Sequence, residues 1–253
     1  MSQKTLLLTY ITFLNFPFPP DICSMQTMNT FEEGKVLLID KPLGWTSFDV
    51  IRKIRKIIHI KKVGHAGTLD PLATGLLIVC TGKFTKKINE YMSKEKEYTG
   101  SFTLGATTAS YDLEQEPVDF KPYEHITDEQ IISATRPFTG EILQVPPSHS
   151  AIQINGKRVY ELARQGKEVI IEPRKVTIKE FEITRIEMPL VYFRVVCGTG
   201  TYIRSLANDF GKALGCGAHL SSLCRTRIGK FKVEDAMTLE GFEKEVERVK
   251  NLQ

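Results

Sequence analysis

Signals for disulfides, metal sites and phosphate loops are scarce in this sequence of 253 residues. The five cysteines are an odd number without a Cys-x-x-Cys pair, and Cys80 and Cys197 lie in apolar runs. We therefore expect free buried thiols in a reducing compartment, and neither a disulfide framework nor a zinc site. The phosphate-loop motif and the nucleophile elbow G-x-S-x-G are both absent, which argues against a P-loop nucleotide hydrolase and an α/β-hydrolase.

Long apolar runs are missing as well. The stretch TLLLTYITFLNFPFPP (5–20) is interrupted by Asn15 and three prolines, and it falls short of the roughly 20 apolar residues that a spanning helix needs. Only Lys4 precedes it and no A-x-A cleavage pattern follows, unlike a secretory signal. The sequence therefore predicts a cytoplasmic protein without a membrane span, in which residues 1–30 are a poorly ordered N-terminal extension.

Acidic residues are absent from one basic stretch, although the whole chain is only mildly basic, with a net charge of +4. We call its six cations the basic cluster: Arg52, Lys53, Arg55, Lys56, Lys61 and Lys62. Such a run is either a solvated helix face or a surface that follows the phosphates of a nucleic acid. The residues alone leave both interpretations open.

Strand-like and helix-like apolar patterns are intermixed along the chain. Strand patterns cover 35–42, 75–82, 96–105, 175–187 and 190–198. Helical patterns begin at Thr46 or Ser47 and at Thr127, and others cover 85–93, 158–166, 201–215 and 238–251. This order predicts an α+β fold in which helices flank a large, mixed, mainly antiparallel sheet.

The stretch GHAGTLDPLATGLL (64–77) contains three glycines, one histidine and one aspartate. Taken alone it favours a capped turn, with Asp70 as N-cap, Pro71 in the first position and Gly75 closing the turn. One histidine, His65, and one aspartate do not make a metal site. The motif therefore leaves the task of Asp70 open until the rest of the chain is considered.

Five ordered blocks resemble the TruB family, the pseudouridine synthases that act on tRNA position 55. They are LLIDKP (37–42), GHAGTLDPLATGLL (64–77), KEYTGSFTLGATTASYD (96–112), VPPSHSAIQINGKRVYELARQG (145–166) and GTYIRSLANDFGKALGCGAHLSSLCRTRIGKF (200–231). The resemblance implies a pseudouridine synthase fold, with one catalytic domain over 31–253, an RNA-gripping insertion over about 139–172 and a C-terminal helix over about 238–251. It also implies a loop around Leu223 and leaves no counterpart for the family's PUA-type domain.

Two residues of the fourth block depart from the family pattern. His149 stands where the family has an aromatic residue, and Gln153 stands where a lysine is common. We therefore expect the grip of the insertion on RNA to differ in detail from that of other members.

The resemblance also implies roles for individual residues around a flipped uridine. Asp70 is the expected catalytic carboxylate, Arg204 its cationic partner, and Tyr98 the ring that stacks on the base and assists proton transfer. Tyr202 and Leu223 are expected to line the pocket. Without the family, Arg204 would be interpreted as a helix-surface residue, and Tyr98 and Leu223 as packing residues. Asp70 would remain the cap of a turn.

The same resemblance assigns weaker roles on the RNA side. His65 is expected to occupy space in the RNA loop, Lys86 to lie near the substrate, and Lys41 with Pro42 to support the site from beneath. Contacts with RNA phosphates are expected from the basic cluster and from three cations of the insertion, Arg158, Arg164 and Lys167.

The resemblance thus predicts an RNA isomerase that needs no cofactor and no metal. Its expected partner is the T-arm stem-loop of tRNA, with no membrane, no obligate protein partner and a monomeric state. Three alternatives stay open: a relative that works in a guide-RNA complex, a non-catalytic RNA-binding protein, and an unrelated α/β protein with a capped turn. The presence of Asp70, Tyr98 and Arg204 together favours the enzyme.

Overall fold

The structure, a computed structural model, describes residues 27–147, 153–154, 157–158 and 171–251. Its strands are β1 (Val36–Lys41), β2 (Val63–His65), β3 (Ala73–Thr81), β4 (Lys96–Leu104), β5 (Gly140–Gln144), β6 (Gln153–Ile154), β7 (Lys157–Arg158), β8 (Arg174–Glu187), β9 (Leu190–Cys197), β10 (Ala218–Ile228) and β11 (Phe231–Lys232). Its helices are α1 (Thr27–Glu33), α2 (Ser47–Ile58), α3 (Ile88–Met92), α4 (Asp128–Ser133), α5 (Ile203–Ala213) and α6 (Leu239–Asn251).

Nine of these strands form one mixed sheet. Its main path runs β1-β3-β10-β4-β9-β8-β5, while β2 joins β3 and β11 joins β10. Every pairing is antiparallel except that of β10 with β3. Six helices of the described residues flank this open sheet, so the prediction of an α+β fold with a mainly antiparallel sheet is confirmed.

Helix α2 begins where the sequence predicts. The Thr46 hydroxyl accepts a hydrogen bond from the Asp49 backbone N–H, and the Asp49 carboxylate accepts one from the Thr46 backbone N–H. This reciprocal capping satisfies donors that would otherwise be unpaired at the helix start. Val50, Ile51, Ile54, Ile57 and Ile58 are buried along one face and pack on β1, β3 and α6, which leaves the opposite face for the cations.

The loop that the resemblance implies around Leu223 is wrong. Residues 218–228 form β10, which lies inside the sheet between β3 and β4. Two bulges, between Leu220 and Ser222 and between Arg225 and Arg227, interrupt its register with β4. They break the strict alternation of apolar and polar residues by which a strand is recognised in a sequence.

The capped turn at Asp70 is also only partly right. The Ala73 N–H donates to the Asp70 carbonyl at 3.1 Å, so the chain does turn here, but no helix follows. Gly75 lies within β3 with φ +96°, where a Cβ would come within 2.5 Å of the Arg225 carbonyl oxygen. Gly75 therefore does not close the turn; it permits the close parallel approach of β3 and β10.

The predictions for the cysteines and for two short helices can be compared with the structure. Cys80, Cys197 and Cys216 are buried free thiols, and Cys224 is a half-buried one. The segment 85–93 is part 3₁₀-helix (Gly82–Lys87) and part α3, and α4 is shorter than its pattern. Of the helix predicted over 158–166 only Arg158 is described, and it lies in strand β7 instead. The residues Cys23, His149, Arg164 and Lys167 lie outside the described residues.

Within the described residues no helix has both the length and the apolar character that crossing a bilayer requires. The same part of the chain holds no group of three His, Cys, Asp or Glu side chains arranged to bind a metal ion.

Candidate active site

An ion pair between Asp70 and Arg204 lies at the centre of the candidate site. Arg204 Nε is 3.0 Å from Asp70 Oδ2, and Arg204 Nη2 donates to Asp70 Oδ1 at 3.1 Å. Asp70 comes from the turn before β3, and Arg204 from the first turn of α5, so two distant segments supply the pair. The paired contacts of guanidinium and carboxylate fix the orientation of both groups.

A cavity of about 300 Å³ opens beside this pair. Strand register explains its walls, because Tyr98 of β4 lies opposite Arg225 of β10, and Leu223 of β10 lies opposite Ala73 at the start of β3. Tyr202, which precedes α5, lines the same cavity. The fold thus brings together all five residues for which the resemblance implies a place around the base: Asp70, Tyr98, Tyr202, Arg204 and Leu223.

The exposures of the two partners differ. The side chain of Arg204 is only 4% exposed, whereas that of Asp70 is 35% exposed and faces the cavity. Desolvation raises the pKa of the Asp70 carboxyl, while the positive charges of Arg204 and Lys41 oppose that rise. Arg204 therefore favours the ionised carboxylate in a place where burial alone would favour the neutral acid.

A second carboxylate, Asp112, lies behind Arg204. Its Oδ2 is 3.6 Å from Arg204 Nε, and its side chain is 4% exposed. Its negative charge contributes to the raised pKa of Asp70. The sequence reasoning missed Asp112, although it is the last residue of the third block, because no pattern signals that a charged residue in a loop will be buried.

Lys41 supports the turn at Asp70, as the sequence predicts. Its side chain is fully buried, and Nζ donates to the carbonyls of Trp45 at 2.6 Å, Pro42 at 3.0 Å and Pro71 at 3.4 Å. The lysine therefore joins the end of β1 to the residue that follows Asp70. Burial lowers its pKa from 10.5 to about 8, although the nearby Asp70 opposes this.

Arg225 is a further site residue that the sequence reasoning missed. It is 1% exposed, and its guanidinium donates to the carbonyls of Leu76 at 2.8 Å, Gly67 at 3.1 Å and Thr68 at 3.5 Å. These bonds hold the segment that leads to Asp70 against β10. Burial raises the pKa of Tyr98, which neighbours Arg225, and the positive charge of Arg225 opposes that rise.

Lys96 forms another buried part of the cavity wall. Its Nζ donates to the Met92 carbonyl and, at 3.0 Å, to the Thr199 hydroxyl, and burial lowers its pKa to about 8. The lysine thus links the end of α3 to the loop before α5. Lys96 is the first residue of the third sequence block, in which the resemblance assigns a role to Tyr98 alone.

The predicted RNA-side residues lie away from the cavity lining. His65 is half-buried in β2, where burial and then the charge of Arg225 lower the pKa of its imidazole. Lys86 is exposed on the 3₁₀-helix Gly82–Lys87. Neither residue lines the cavity beside Asp70. Arg158 lies in β7, and its side chain is outside the description.

The basic cluster divides into two groups of three. Arg52 pairs with Asp49, Lys53 Nζ lies 2.6 Å from Glu243 of α6, and Arg55 donates to the Val63 carbonyl at 2.8 Å. Lys56, Lys61 and Lys62 are exposed. Half of the cluster therefore has local partners within the chain, and the other half faces solvent.

Comparisons with known proteins identify the family that this chain matches. The model of the TruB family pseudouridylate synthase N-terminal domain matches residues 55–203, and that of the tRNA pseudouridylate synthase B C-terminal domain matches residues 204–252. The boundary between the two matches falls inside α5, so Asp70 and Arg204 come from different matched regions.

Individual relatives align with most of this chain. The chain is 54% identical over 229 residues to tRNA pseudouridine synthase B of Flavobacterium johnsoniae, with 88% of this chain and 100% of that protein covered. It is 50% identical over 232 residues to the protein of the same name from Phocaeicola vulgatus, with 87% and 99% covered.

A solved structure shares the fold. In a Cbf5-Nop10-Gar1 complex, one chain aligns with a TM-score of 0.67 at 34% identity. The alignment covers 92% of this chain but only 60% of that one. Together, the matched domains, the relatives and the shared fold show that this chain belongs to the TruB family of pseudouridylate synthases, a family of isomerases.

Proposed function

We propose that this chain converts a uridine of the tRNA T-arm loop, position 55 by resemblance, to pseudouridine. The observation that carries the proposal is the ion pair of Asp70 with Arg204 at the edge of a cavity lined by Tyr98, Tyr202 and Leu223. The names of the relatives, which are tRNA pseudouridine synthases, support tRNA as the substrate.

The reaction requires one well-placed carboxylate. The N1–C1′ glycosidic bond breaks, the uracil turns, and C5 bonds to C1′; C5 then loses its proton and N1 gains one. Asp70 is the group for this step, as a nucleophile at C1′ or at C6 or as acceptor of the 2′ proton. No electrons are exchanged with a carrier and no group is donated, so the chemistry has no need of a cofactor.

Arg204 favours the ionised form of this carboxylate and orients it. Because burial raises the pKa of Asp70, an isolated carboxyl at this place would be driven toward the neutral acid, which is neither a nucleophile nor a base. The two contacts of Arg204 stabilise the anion and leave its other face toward the cavity.

The cavity walls suit a base that has left its stack. Flipping a nucleotide out of folded RNA costs a few kcal/mol, which contacts in the pocket must offset. The ring of Tyr98 provides stacking and Leu223 provides apolar packing on the base, while Tyr202 lines the wall next to Arg204. His65 would occupy the space in the RNA loop, and Lys86 would contact the nearby backbone.

Phosphate contacts are assigned to the exposed cations. Lys56, Lys61 and Lys62 face solvent and are free to follow the T-arm backbone. Arg52, Lys53 and Arg55 would contribute less, because each already has a partner within the chain. Arg158 of the insertion is assigned a phosphate contact by the resemblance alone.

Asp70→Asn is the variant that tests the proposal. It keeps the size of the side chain but removes the charge, so we expect release of tritium from T-arm RNA labelled at uridine C5 to stop. Binding of the same RNA should remain measurable, and Asp128→Asn, an exposed carboxylate of α4, should behave as wild type. Near-full turnover by Asp70→Asn would contradict the catalytic assignment.

Chromatography of the nucleosides in mapped tRNA fragments then locates the product. Pseudouridine in the T-arm loop at position 55 is the expected result. Pseudouridine elsewhere would overturn the assigned position, and RNA binding without any pseudouridine would favour the non-catalytic RNA-binding protein.

A further inference from the structure

Two residues beside the insertion, Gln144 and Arg174, hold Tyr202 from two sides. Gln144 is the last residue of β5 and Arg174 the first of β8, and the two are direct partners in the register of that pair. Side chains of directly opposed residues in an antiparallel pair lie on the same face of the sheet. Both side chains of this pair meet the residues that lead into α5.

Gln144 holds the backbone of Tyr202. The Tyr202 N–H donates to Gln144 Oε1 at 2.8 Å, and Gln144 Nε2 donates to the Tyr202 carbonyl at 3.1 Å. Gln144 is 1% exposed, so both bonds are shielded from water. Tyr202 is the N-cap of α5 and its own side chain makes no capping bond, so the amide of Gln144 satisfies a donor at the start of that helix.

Arg174 holds the ring of Tyr202. The guanidinium carbon of Arg174 lies 4.8 Å from the centre of the Tyr202 ring, and Nη2 donates to the Gly200 carbonyl. Arg174 also lines the cavity beside Asp70. The stack therefore restrains the ring where it faces the base, while the bond to Gly200 restrains the loop that leads to it.

A third contact ties the same two parts together. The Ser205 hydroxyl donates to the Val145 carbonyl at 2.7 Å, and Ser205 is 1% exposed. Arg204, the partner of Asp70, lies between the two anchored residues Tyr202 and Ser205. The end of the β5–β8 pair is therefore bonded to the chain immediately before and immediately after the catalytic guanidinium.

We propose that Gln144 and Arg174 are positioning residues for the reaction: together they set the place of the Tyr202 ring and of the first turn of α5 that presents Arg204 to Asp70. We call the pair the Tyr202 clamp. The proposal rests on the assigned place of Tyr202 against the target base. It adds that the residues on either side of the segment 146–173, namely Gln144 with Val145 and Arg174, contact Tyr202, Ser205 and Gly200 directly, so a displacement of these residues displaces the ring.

Single-turnover kinetics on a T-arm stem-loop test the clamp. Gln144→Leu removes both bonds at similar volume, and Arg174→Met removes the charge and the planar stack. We expect each to lower the rate at saturating enzyme by about 10²-fold, which is the cost of a displacement of about 1 Å. To measure RNA binding without turnover, each variant also carries the Asp70→Asn substitution. In this background the RNA dissociation constant should change by less than about threefold.

Two controls and a graded variant accompany these measurements. Glu141→Gln and Lys175→Met alter exposed neighbours on β5 and β8 and should leave rate and affinity unchanged. Arg174→Lys keeps the charge and a donor but loses the planar stack, so its rate should lie between those of wild type and Arg174→Met. If Gln144→Leu or Arg174→Met lacks a cooperative melting transition, Arg174→Lys carries the test.

A double-mutant cycle separates positioning from general stability. If Arg174 acts through the Tyr202 ring, Arg174→Met should cost much less than about 10²-fold when Tyr202→Leu is already present. Full additivity of the two losses would overturn the proposal. Unchanged rates in the single variants would overturn it as well. A weaker RNA affinity with an unchanged rate at saturation would also overturn it, because the pair would then be a simple RNA contact.

The substrate RNA keeps this test distinct from the test of the proposed function. If wild-type protein modifies a uridine outside the T-arm, the proposed position fails, and the cycle is measured on the RNA that is modified. A normal wild-type rate with no coupling between Arg174 and Tyr202 would instead overturn the clamp alone.

Discussion

Buried and exposed cations divide the basic residues of this chain into two regions with different tasks. Lys96, Arg204 and Arg225 line the cavity beside Asp70, and Lys41 holds the turn that carries Asp70. All four are at most 6% exposed. Lys56, Lys61 and Lys62 are exposed on and just after α2. The exposed group is a run in the sequence, whereas members of the buried group come from β1, β4, α5 and β10.

The two regions are stabilised differently. Burying a charge is costly unless polar partners replace the lost water, and each buried cation here has such partners. Arg204 has carboxylates, while the donors of Lys41 and Arg225 are met by backbone carbonyls. Within the described residues, no ion pair joins Lys41, Lys96 or Arg225 to a carboxylate, and their hydrogen bonds go to carbonyls and to the Thr199 hydroxyl.

Among the changes in the buried region, we expect the replacement of Arg225 to have the largest effect on stability and rate. Arg225→Met leaves the carbonyls of Gly67, Thr68 and Leu76 without their donor, at about 1–3 kcal/mol for each carbonyl that water does not reach. The segment that leads to Asp70 then loses its anchor, and we expect single-turnover rate to fall by about 10²-fold.

Denaturant unfolding and tritium release measure these two losses. The matched control is Arg227→Met on the same strand, whose guanidinium pairs with Glu95 at 3.0 Å instead of holding the Asp70 segment. A wild-type rate in Arg225→Met would show that the segment is held without it.

The burial of Lys41 makes the free energy of unfolding depend on pH. Its pKa falls from 10.5 in the unfolded chain to about 8 in the fold, so the folded state releases the proton first as pH rises. The cost of the buried charge is therefore fully present below pH 8 and is relieved between pH 8 and 10.5. An exposed lysine such as Lys244 has no comparable burial to relieve.

The measurement is the free energy of unfolding of wild type minus that of Lys41→Met, at pH 7 and at pH 10.5. We expect this difference to grow by something on the order of 3 kcal/mol in favour of wild type. The same comparison with Lys244→Met, at an exposed lysine of α6, is the control for the loss of a lysine as such. A difference that shrinks with pH would mean that the protonated lysine is stabilised in the fold.

Much of the fold could be predicted from the sequence because most elements carry strong local signals. The cap at Thr46, the apolar stripe of α2 and the alternation in β4 each follow from a few neighbouring residues. Strand β10 has no such signal, because two bulges shift its register and Arg225 is buried within it. Its identity as a strand depends on β3 and β4, which lie far away in the sequence.

The site residues also divide into those that the resemblance indicates and those that only the structure shows. The resemblance pointed to Asp70, Tyr98, Tyr202, Arg204 and Leu223 one by one, and the fold places them around one cavity. Asp112, Gln144, Arg174 and Arg225 were missed because they act through contacts with other site residues, and such contacts exist only in three dimensions. The roles of His65 and Lys86 stay predictions.

The smallest effects belong to the exposed region. Changing Lys56, Lys61 or Lys62 to Gln removes one charge that no buried group depends on, so stability and the rate at saturation should stay unchanged. The test is a plot of the logarithm of RNA affinity against the logarithm of salt concentration. If the residue contacts a phosphate, the negative slope of this plot should become less steep by about 0.7–0.9. Lys53→Gln, whose lysine already pairs with Glu243, should change the slope less, and Lys244→Gln on α6 should not change it. Equal slopes for all six proteins, wild type included, would show that the basic cluster is only a solvated surface.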